Sequence, residues 1–170
     1  MAAEIQVKLT TTADNVTVFK RALETIVRDH VEVGVPEEKA PRKAGSKISN
    51  AALAYIHNTG SPLRNIPARP FMEPGIHDAE DSITARMEAV AKAALKGDVQ
   101  GVERGLNAVG LLVQNAIRRR INTGIPPPLK PGTLAARKRQ NFEGEKPLIR
   151  TGQLRNSIVY VIKRITRRIK

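Results

Sequence analysis

The chain has 170 residues, which is enough to bury the core of one domain, and it contains no cysteine, so disulfides and thiolate metal sites are excluded. It has no tryptophan and few aromatic residues, so aromatic platforms for stacking bases are not expected, and its net charge of +13 favours an anionic partner. The sequence contains no apolar run of 18 residues, so no membrane span is predicted, and residues 1–10 lack the features of a signal peptide. We therefore expect a protein made and used on the cytosolic side of a membrane, or in something assembled there.

The N-terminal part of the chain predicts a strand, a helix and a second strand. Residues 4–10 and 30–36 alternate apolar and polar side chains, which is typical of half-buried strands, and Pro36 ends the second. Between them, residues 15–29 have the spacing of an amphipathic helix with one face packed on a sheet. The apolar positions of that helix are Val16, Phe19, Leu23, Ile26 and Val27.

The next segment contains a short helix between two loops. Residues 37–46 are charged and predict an exposed loop, and Asn50 is a suitable cap for a helix over 51–58 that ends at Gly60. His57 has no second ligand at metal spacing, so a structural histidine is favoured over a metal ligand. In residues 60–76, four prolines predict a stiff extended connection that excludes regular helix.

The proline-rich connection places Arg69 and Phe71, for which two interpretations stay open. In the first, Phe71 anchors the loop in the core while Arg69 meets an acidic neighbour such as Glu73. In the second, the loop is a rigid element that contacts another subunit.

Two long helices follow. Asp78, Asp81 and Ser82 favour the start of the first helix, whose apolar side is Ile83, Met87, Val90, Ala91 and Ala94, and Gly97 interrupts it. The second is predicted over 99–122, with a stripe at Val99, Val102, Leu106, Val109, Val113, Ile117 and Ile121. Small residues on an adjoining face, including Gly101, Gly105 and Ala108, predict close helix approach.

The last third begins with a proline-rich loop over 123–130 and a short helix over 134–140 capped by Thr133. A tight turn over 151–157 leads into a strand over 158–162, whose continuous apolar run indicates a position inside the sheet or at an interface. We expect a single α+β domain over 1–163 and a basic tail over 164–170. The predicted fold is a small mixed or antiparallel sheet packed by the N-terminal helix and the two long helices, with long Pro-rich loops.

The excess charge is confined to the last third of the chain. Residues 1–117 hold 14 basic and 14 acidic residues, whereas residues 118–170 hold 15 basic and 2 acidic residues, which gives +13. This asymmetry favours contact with a polyanion or an acidic protein surface over the alternative, a solvated tail that only aids solubility.

Patterns that would indicate an enzyme are absent from the sequence. It contains no phosphate-binding P-loop, no dinucleotide glycine pattern, no Gly-x-Ser-x-Gly and no paired histidines. We therefore predict no catalytic residues, no metal and no cofactor. No DNA-reading helix or RNA-binding signature occurs either, so any nucleic acid would be held through its phosphates.

Four segments in order carry a family resemblance: His57–Gly60, Ile66–Phe71, Pro128–Lys138 and Pro147–Ile158. Together they resemble the tail-completion or minor tail (neck) proteins of long-tailed bacteriophages, including the virion morphogenesis proteins of Mu-like phages. The resemblance runs from about residue 31 to 162.

The resemblance implies a structural protein of the virion tail or neck, assembled in the host cytoplasm. It implies a ring of identical subunits, commonly six, between the tail tube or tail terminator protein and the head connector or stopper protein, with genomic DNA passing through its channel. The alternative from the residues alone is a nucleic-acid-binding protein without sequence preference that uses its basic last third. A hydrolase would need an acid–base pair that the sequence does not offer.

These interpretations assign two sets of candidate contact residues. Contacts to subunits or partners are predicted for Arg69, Phe71, Arg137, Lys138, Arg139, Thr151, Gln153 and Arg155. Contacts to DNA in the channel or to an acidic partner are predicted for Arg118, Arg119, Arg120, Arg164, Arg167 and Arg168.

Overall fold

The computed structural model describes residues 13–37, 48–142 and 144–165. This part of the chain forms seven α-helices and one antiparallel pair of strands, which confirms the predicted α+β class. The helices are α1 (Ala13–Arg28), α2 (Asn50–Thr59), α3 (Met72–His77), α4 (Glu80–Leu95), α5 (Val99–Asn122), α6 (Pro131–Arg139) and α7 (Gln153–Ser157), and the strands are β1 (Asp29–Gly34) and β2 (Val159–Arg164). The predicted strand over 4–10 and residues 166–170 of the predicted tail lie outside the described residues. The tail was predicted from 164, but Arg164 is the last residue of β2.

Helix α5 is the centre of the fold and has the predicted bounds. It contacts α1, α3, α4, α7 and both strands. Its predicted stripe is confirmed, because all but one of the positions are buried: Val102, Leu106, Val109, Val113, Ile117 and Ile121. The Asp98 side chain accepts a hydrogen bond from the backbone N–H of Gly101 and caps the helix.

Helices α4 and α5 form a hairpin that turns at Gly97, which has a φ of 74°. Gly105 faces Val90 of α4 so closely that an added Cβ would lie 2.3 Å from Val90 Cγ2. The predicted close approach is therefore real at Gly105. On the α4 side, Val90 and Ala94 are buried, whereas Met87 and Ala91 are exposed.

Strands β1 and β2 cover the other side of α5. In their antiparallel register, Val31 lies opposite Ile162 and Val33 lies opposite Tyr160. The Tyr160 ring packs over Gly110, where an added Cβ would lie 2.3 Å from a ring carbon, and its backbone N–H donates to Gln114 Oε1 at 3.0 Å. The strand begins one residue later than predicted because Ile158 caps the end of α7, and its side chain is fully buried in the main core.

Helix α1 has a narrower buried face than its apolar pattern predicts. Ala22 and Thr25 are buried against the rest of the fold, and Leu23 and Ile26 are half-buried against the core cluster that α4 and α5 form. The remaining predicted core positions, Val16, Phe19 and Val27, are exposed. The prediction was wrong there because α1 packs mainly on α4 and α5, which contact only one edge of its apolar stripe.

Three local predictions need correction. Ser49, not Asn50, caps α2, since its hydroxyl accepts from the N–H of Ala52. Helix α6 begins at Pro131, before the predicted Thr133 cap, because proline is suited to the first helical turn. The same tolerance lets α3 form across Pro74 inside the segment that was predicted to exclude regular helix.

Candidate partner-binding surfaces

The buried side chain of Arg69 joins the two proline-rich loops. Its guanidinium donates to the carbonyl of Pro127 from Nε at 3.0 Å and from Nη2 at 2.7 Å, and also to the carbonyl of Pro128 at 3.3 Å. Its backbone N–H donates to the carbonyl of His57 at 2.8 Å. The side chain is only 5% exposed, and this burial lowers its pKa by removing water from the charged form.

Asn58 holds the start of α3. Its Oδ1 accepts hydrogen bonds from the N–H groups of Phe71 at 2.9 Å and Met72 at 3.2 Å. These are N–H groups at a helix start, which have no partner within the helix. Phe71 itself has no exposed surface and belongs to the main core cluster with Ile117 and Ile121.

The structure therefore decides between the two interpretations of this loop. Phe71 is a core anchor, and Arg69 meets backbone carbonyls instead of Glu73. Neither side chain offers surface to another subunit, which corrects the predicted contact role for both.

The buried side chain of Arg137 also holds a loop in place. It is 8% exposed, and its Nη1 donates to the carbonyls of Gly144 at 2.5 Å, Lys146 at 3.1 Å and Ile149 at 3.4 Å. Burial lowers the pKa of its guanidinium, and the nearby charge of Arg150 adds to that effect. The predicted contact role of Arg137 is corrected in the same way, whereas Lys138 and Arg139 are exposed.

The turn over 151–157 is a short helix attached to the end of α5. Gly152 precedes it with a φ of 72°, the left-handed region that glycine adopts without strain, and Leu154 is buried in the main core. Thr151 is exposed and Gln153 is half-buried, and the Thr151 hydroxyl accepts from the N–H of Gln153 at 3.4 Å. Thr151 thus remains accessible to a partner.

A cluster of cations surrounds Asn122 at the C-terminal end of α5. Lys146 Nζ donates to the Asn122 carbonyl at 2.8 Å, and Arg155 donates to its Oδ1 at 3.2 Å. One turn earlier, Arg118 donates to the carbonyl of Ile158 at 2.7 Å. Arg150 adjoins the cluster from the loop after α6, where it stacks on Phe142 and bonds the side chain of Gln140.

We call six cations, in the C-terminal part of α5, in α6 and in the segment that follows α6, the basic face: Arg118, Lys138, Arg139, Lys146, Arg150 and Arg155. None of them takes part in an ion pair with a carboxylate among the described residues. Arg118, Lys146, Arg150 and Arg155 donate to neutral carbonyl or amide oxygens, which leave the positive charge uncompensated, and the other two are exposed. Cations beside the C-terminal end of α5 are also favoured by the negative end of the helix dipole.

Two of the predicted contact cations, and Lys163 beside them, form ion pairs within the chain. Arg164 makes a two-pronged pair with Asp29, with Nε to Oδ1 at 2.7 Å, and Lys163 lies 2.6 Å from a Glu32 oxygen. Arg120 lies 3.6 Å from an Asp78 oxygen. Arg120 and Arg164 therefore already face carboxylates of their own chain, and their contact with DNA or an acidic partner stays a prediction.

Arg119 is exposed, and Arg167 and Arg168 lie outside the described residues. The pKa of the Asp29 carboxyl lies below its usual value, chiefly because it accepts hydrogen bonds from Arg164. Glu32 has a lowered pKa as well, first through Lys163 and then through His30.

A shallow groove separates the two proline loops on the outer surface. It has a volume of about 560 Å³, and its apolar walls are Ile66, Pro67, Pro127, Pro128 and Leu129. Leu63, on the 3-10 turn Pro62–Arg64, is fully exposed. The buried Arg69 supports this groove from below, so its shape is set by the interior of the fold.

Sequence reasoning missed the two asparagines that organise these surfaces. Asn58 stands within a segment that carries the family resemblance, which was a usable signal. Asn122 stands at the end of a long helix with no pattern around it that indicates its role, since its partners come from residues 24 and 33 positions later.

Comparison with protein-family models, with curated proteins and with solved structures found no match. Within the described ranges, no helix is long and apolar enough to cross a bilayer. The same ranges contain no group of three or more His, Cys, Asp or Glu side chains placed to hold a metal ion.

Proposed function

We propose that this chain is a structural protein of a tailed phage that completes the tail and joins it to the head connector. It forms a ring of identical subunits, six in number, around the DNA channel, and contacts the tail tube or terminator protein on one side and the connector or stopper protein on the other. The proposal rests on the four segments that resemble neck proteins and on the way these segments fit together.

One observation carries the proposal. The four segments are joined within the fold by the hydrogen bonds that Asn58 makes to Phe71, Arg69 to Pro128 and Arg137 to Ile149. Through these bonds, the side chains of Asn58, Arg69 and Arg137 hold loops in place. This is the arrangement expected of a scaffold that presents surfaces to partners. The basic face and the proline groove are those surfaces.

The experiment is a joining assay with the phage whose genome encodes this chain. Without the chain, we expect filled heads and complete tails that stay separate, and purified chain added to them should restore joined particles. Joined particles formed without the chain, or particles from which the chain is absent, would contradict the proposal.

The Lys138→Ser/Arg139→Ser variant tests the basic face in the same assay. Both side chains are exposed, so the variant should keep its melting temperature and lose most of its joining activity. Arg86→Ser/Lys96→Ser is the matched control, since it removes two exposed cations from α4 and the following turn. Equal joining by both variants would show that Lys138 and Arg139 are only a solvated face.

A further inference from the structure

The exposed side of α1 carries an apolar stripe that the rest of the described chain does not cover. Val16 is 65% exposed, Val27 is 76% exposed and Phe19 is 38% exposed, and Leu23 lies between them half-buried. We call these four residues the α1 face. Exposed apolar stripes of this kind mark association sites more often than random surface.

Two charged residues beside this stripe indicate what covers the α1 face. Lys20 and Glu24 lie along the same flank of the α1 face, because successive residues of a helix are separated by 100°. The two charges stand at equal distances on either side of Ala22, one toward each end of the helix. If a second copy of the helix runs in the opposite direction at the same level, its Glu24 therefore lies level with Lys20 of the first copy, and its Lys20 lies level with Glu24.

We propose that the α1 faces of two copies pack antiparallel about a two-fold axis level with Ala22 and so form a homodimer. In this register each Lys20 lies opposite Glu24 of the second copy, since the same flanks of two antiparallel helices meet. A helix rises about 1.5 Å per residue, so Val27 of the second copy falls between Val16 and Phe19, and the apolar side chains interleave.

The parallel arrangement does not use these charges. In it, opposite flanks of the two helices meet, so the Lys20 and Glu24 side chains of the two copies lie on opposite sides of the contact and form no ion pairs. A two-fold contact of this kind is isologous, with one patch meeting its own copy. The proposal stands independently of the neck function, because it concerns purified chain alone.

The first test is the mass of the purified full chain by sedimentation equilibrium across micromolar concentrations. We expect a dimer, and a monomer for Val16→Asp/Val27→Asp. Leu63→Asp/Leu111→Asp is the matched control, because it alters two exposed apolar residues away from α1 and should remain dimeric. A monomeric full chain would overturn the proposal and would indicate that residues 1–12 or another protein covers the α1 face.

The second test examines the antiparallel register by reversing charges and measuring the dimer Kd. Lys20→Glu should raise the dimer Kd by roughly 5- to 30-fold, since it turns two attractive pairs into two repulsive ones. Lys20→Glu/Glu24→Lys should return the Kd to near that of the original chain. Failure of the double variant to recover would overturn the antiparallel register even if the chain is dimeric.

Failure of this proposal is distinguishable from failure of the proposed function. The dimer is measured on purified chain without heads or tails, whereas joining is measured with them. A chain that joins particles but sediments as a monomer overturns only the dimer.

Discussion

At the scale of single residues, the buried polar side chains of this chain work as connectors. Arg69 and Arg137 donate to backbone carbonyls of loops that have no regular hydrogen-bonded structure. A buried carbonyl without a donor is costly, so one guanidinium with several N–H groups can stabilise a whole loop. Asp29 and Arg164 act differently, because they fasten the start of β1 to the end of β2 with opposite charges.

The Asp29–Arg164 pair predicts a pH dependence of stability. The folded pKa of Asp29 is depressed, so the pair stabilises the fold fully above the unfolded pKa of about 3.9 and loses that effect as the pH falls through the folded pKa. Asp29→Asn should lower the free energy of unfolding at pH 7 by about 1–2 kcal/mol, a range reduced because Arg164 is largely exposed.

Urea unfolding at pH 7 and at pH 3 checks this prediction. The difference between Asp29→Asn and the original chain should shrink at the lower pH, because protonation of the unfolded carboxyl removes part of the advantage that the lowered pKa of Asp29 gives the folded chain. Glu32→Gln is the comparison, since Glu32 is more exposed and its change should cost less at pH 7. An Asp29→Asn cost that is the same at both pH values would contradict an ionic origin.

At the scale of elements, α5 organises the fold because it presents different surfaces to different neighbours. Its apolar stripe meets the main core, its small residues meet α4, and Gly110 admits the ring of Tyr160 from β2. The α4–α5 contact depends on the missing side chain at Gly105, since Val90 occupies the space that a Cβ would need.

We expect Gly105→Ala to destabilise the chain even though alanine favours helix by about 1 kcal/mol. The clash with the stiff, buried Val90 should cost about 1–3 kcal/mol, so the melting temperature falls. In a Val90→Ala background the same change should cost less. Gly132→Ala in α6 is the control, because nothing lies within 4 Å of its added Cβ; equal effects at both sites would contradict the packing explanation.

At the scale of the whole molecule, the fold redistributes the charge that the sequence places in its last third. Carboxylates from the neutral part neutralise Arg120, Lys163 and Arg164. Six of the remaining cations form the basic face, and four of them donate to neutral acceptors. The result is one end of the molecule that attracts anions over distances set by the ionic strength.

This distribution predicts salt-dependent binding to duplex DNA without sequence preference. Measured by fluorescence anisotropy, the affinity should fall steeply as salt rises, because each neutralised phosphate releases counterions. Lys146→Ser/Arg150→Ser should weaken binding and reduce the slope of log K against log salt by about 1–2, while Arg86→Ser/Lys96→Ser should not. No binding at low salt, together with intact joining, would assign the basic face to an acidic protein neighbour.

The sequence by itself determined the features that repeat within one element. The stripe of α5, the bounds of that helix, the α+β class and the charge asymmetry all follow from spacing and counts along the chain. They were predictable because helical periodicity and composition are local quantities.

Only the tertiary structure decided which polar and apolar side chains are enclosed. Arg69 and Arg137 were both candidate contacts to partners, yet both are buried. Carbonyls from residues 58 and 59 positions later surround Arg69, and carbonyls of the loop after α6 surround Arg137. Val16 and Val27 read as core, yet they are exposed because the helices beside α1 contact another part of its surface. Burial depends on what lies across from a side chain, and that partner is set by the path of the whole chain.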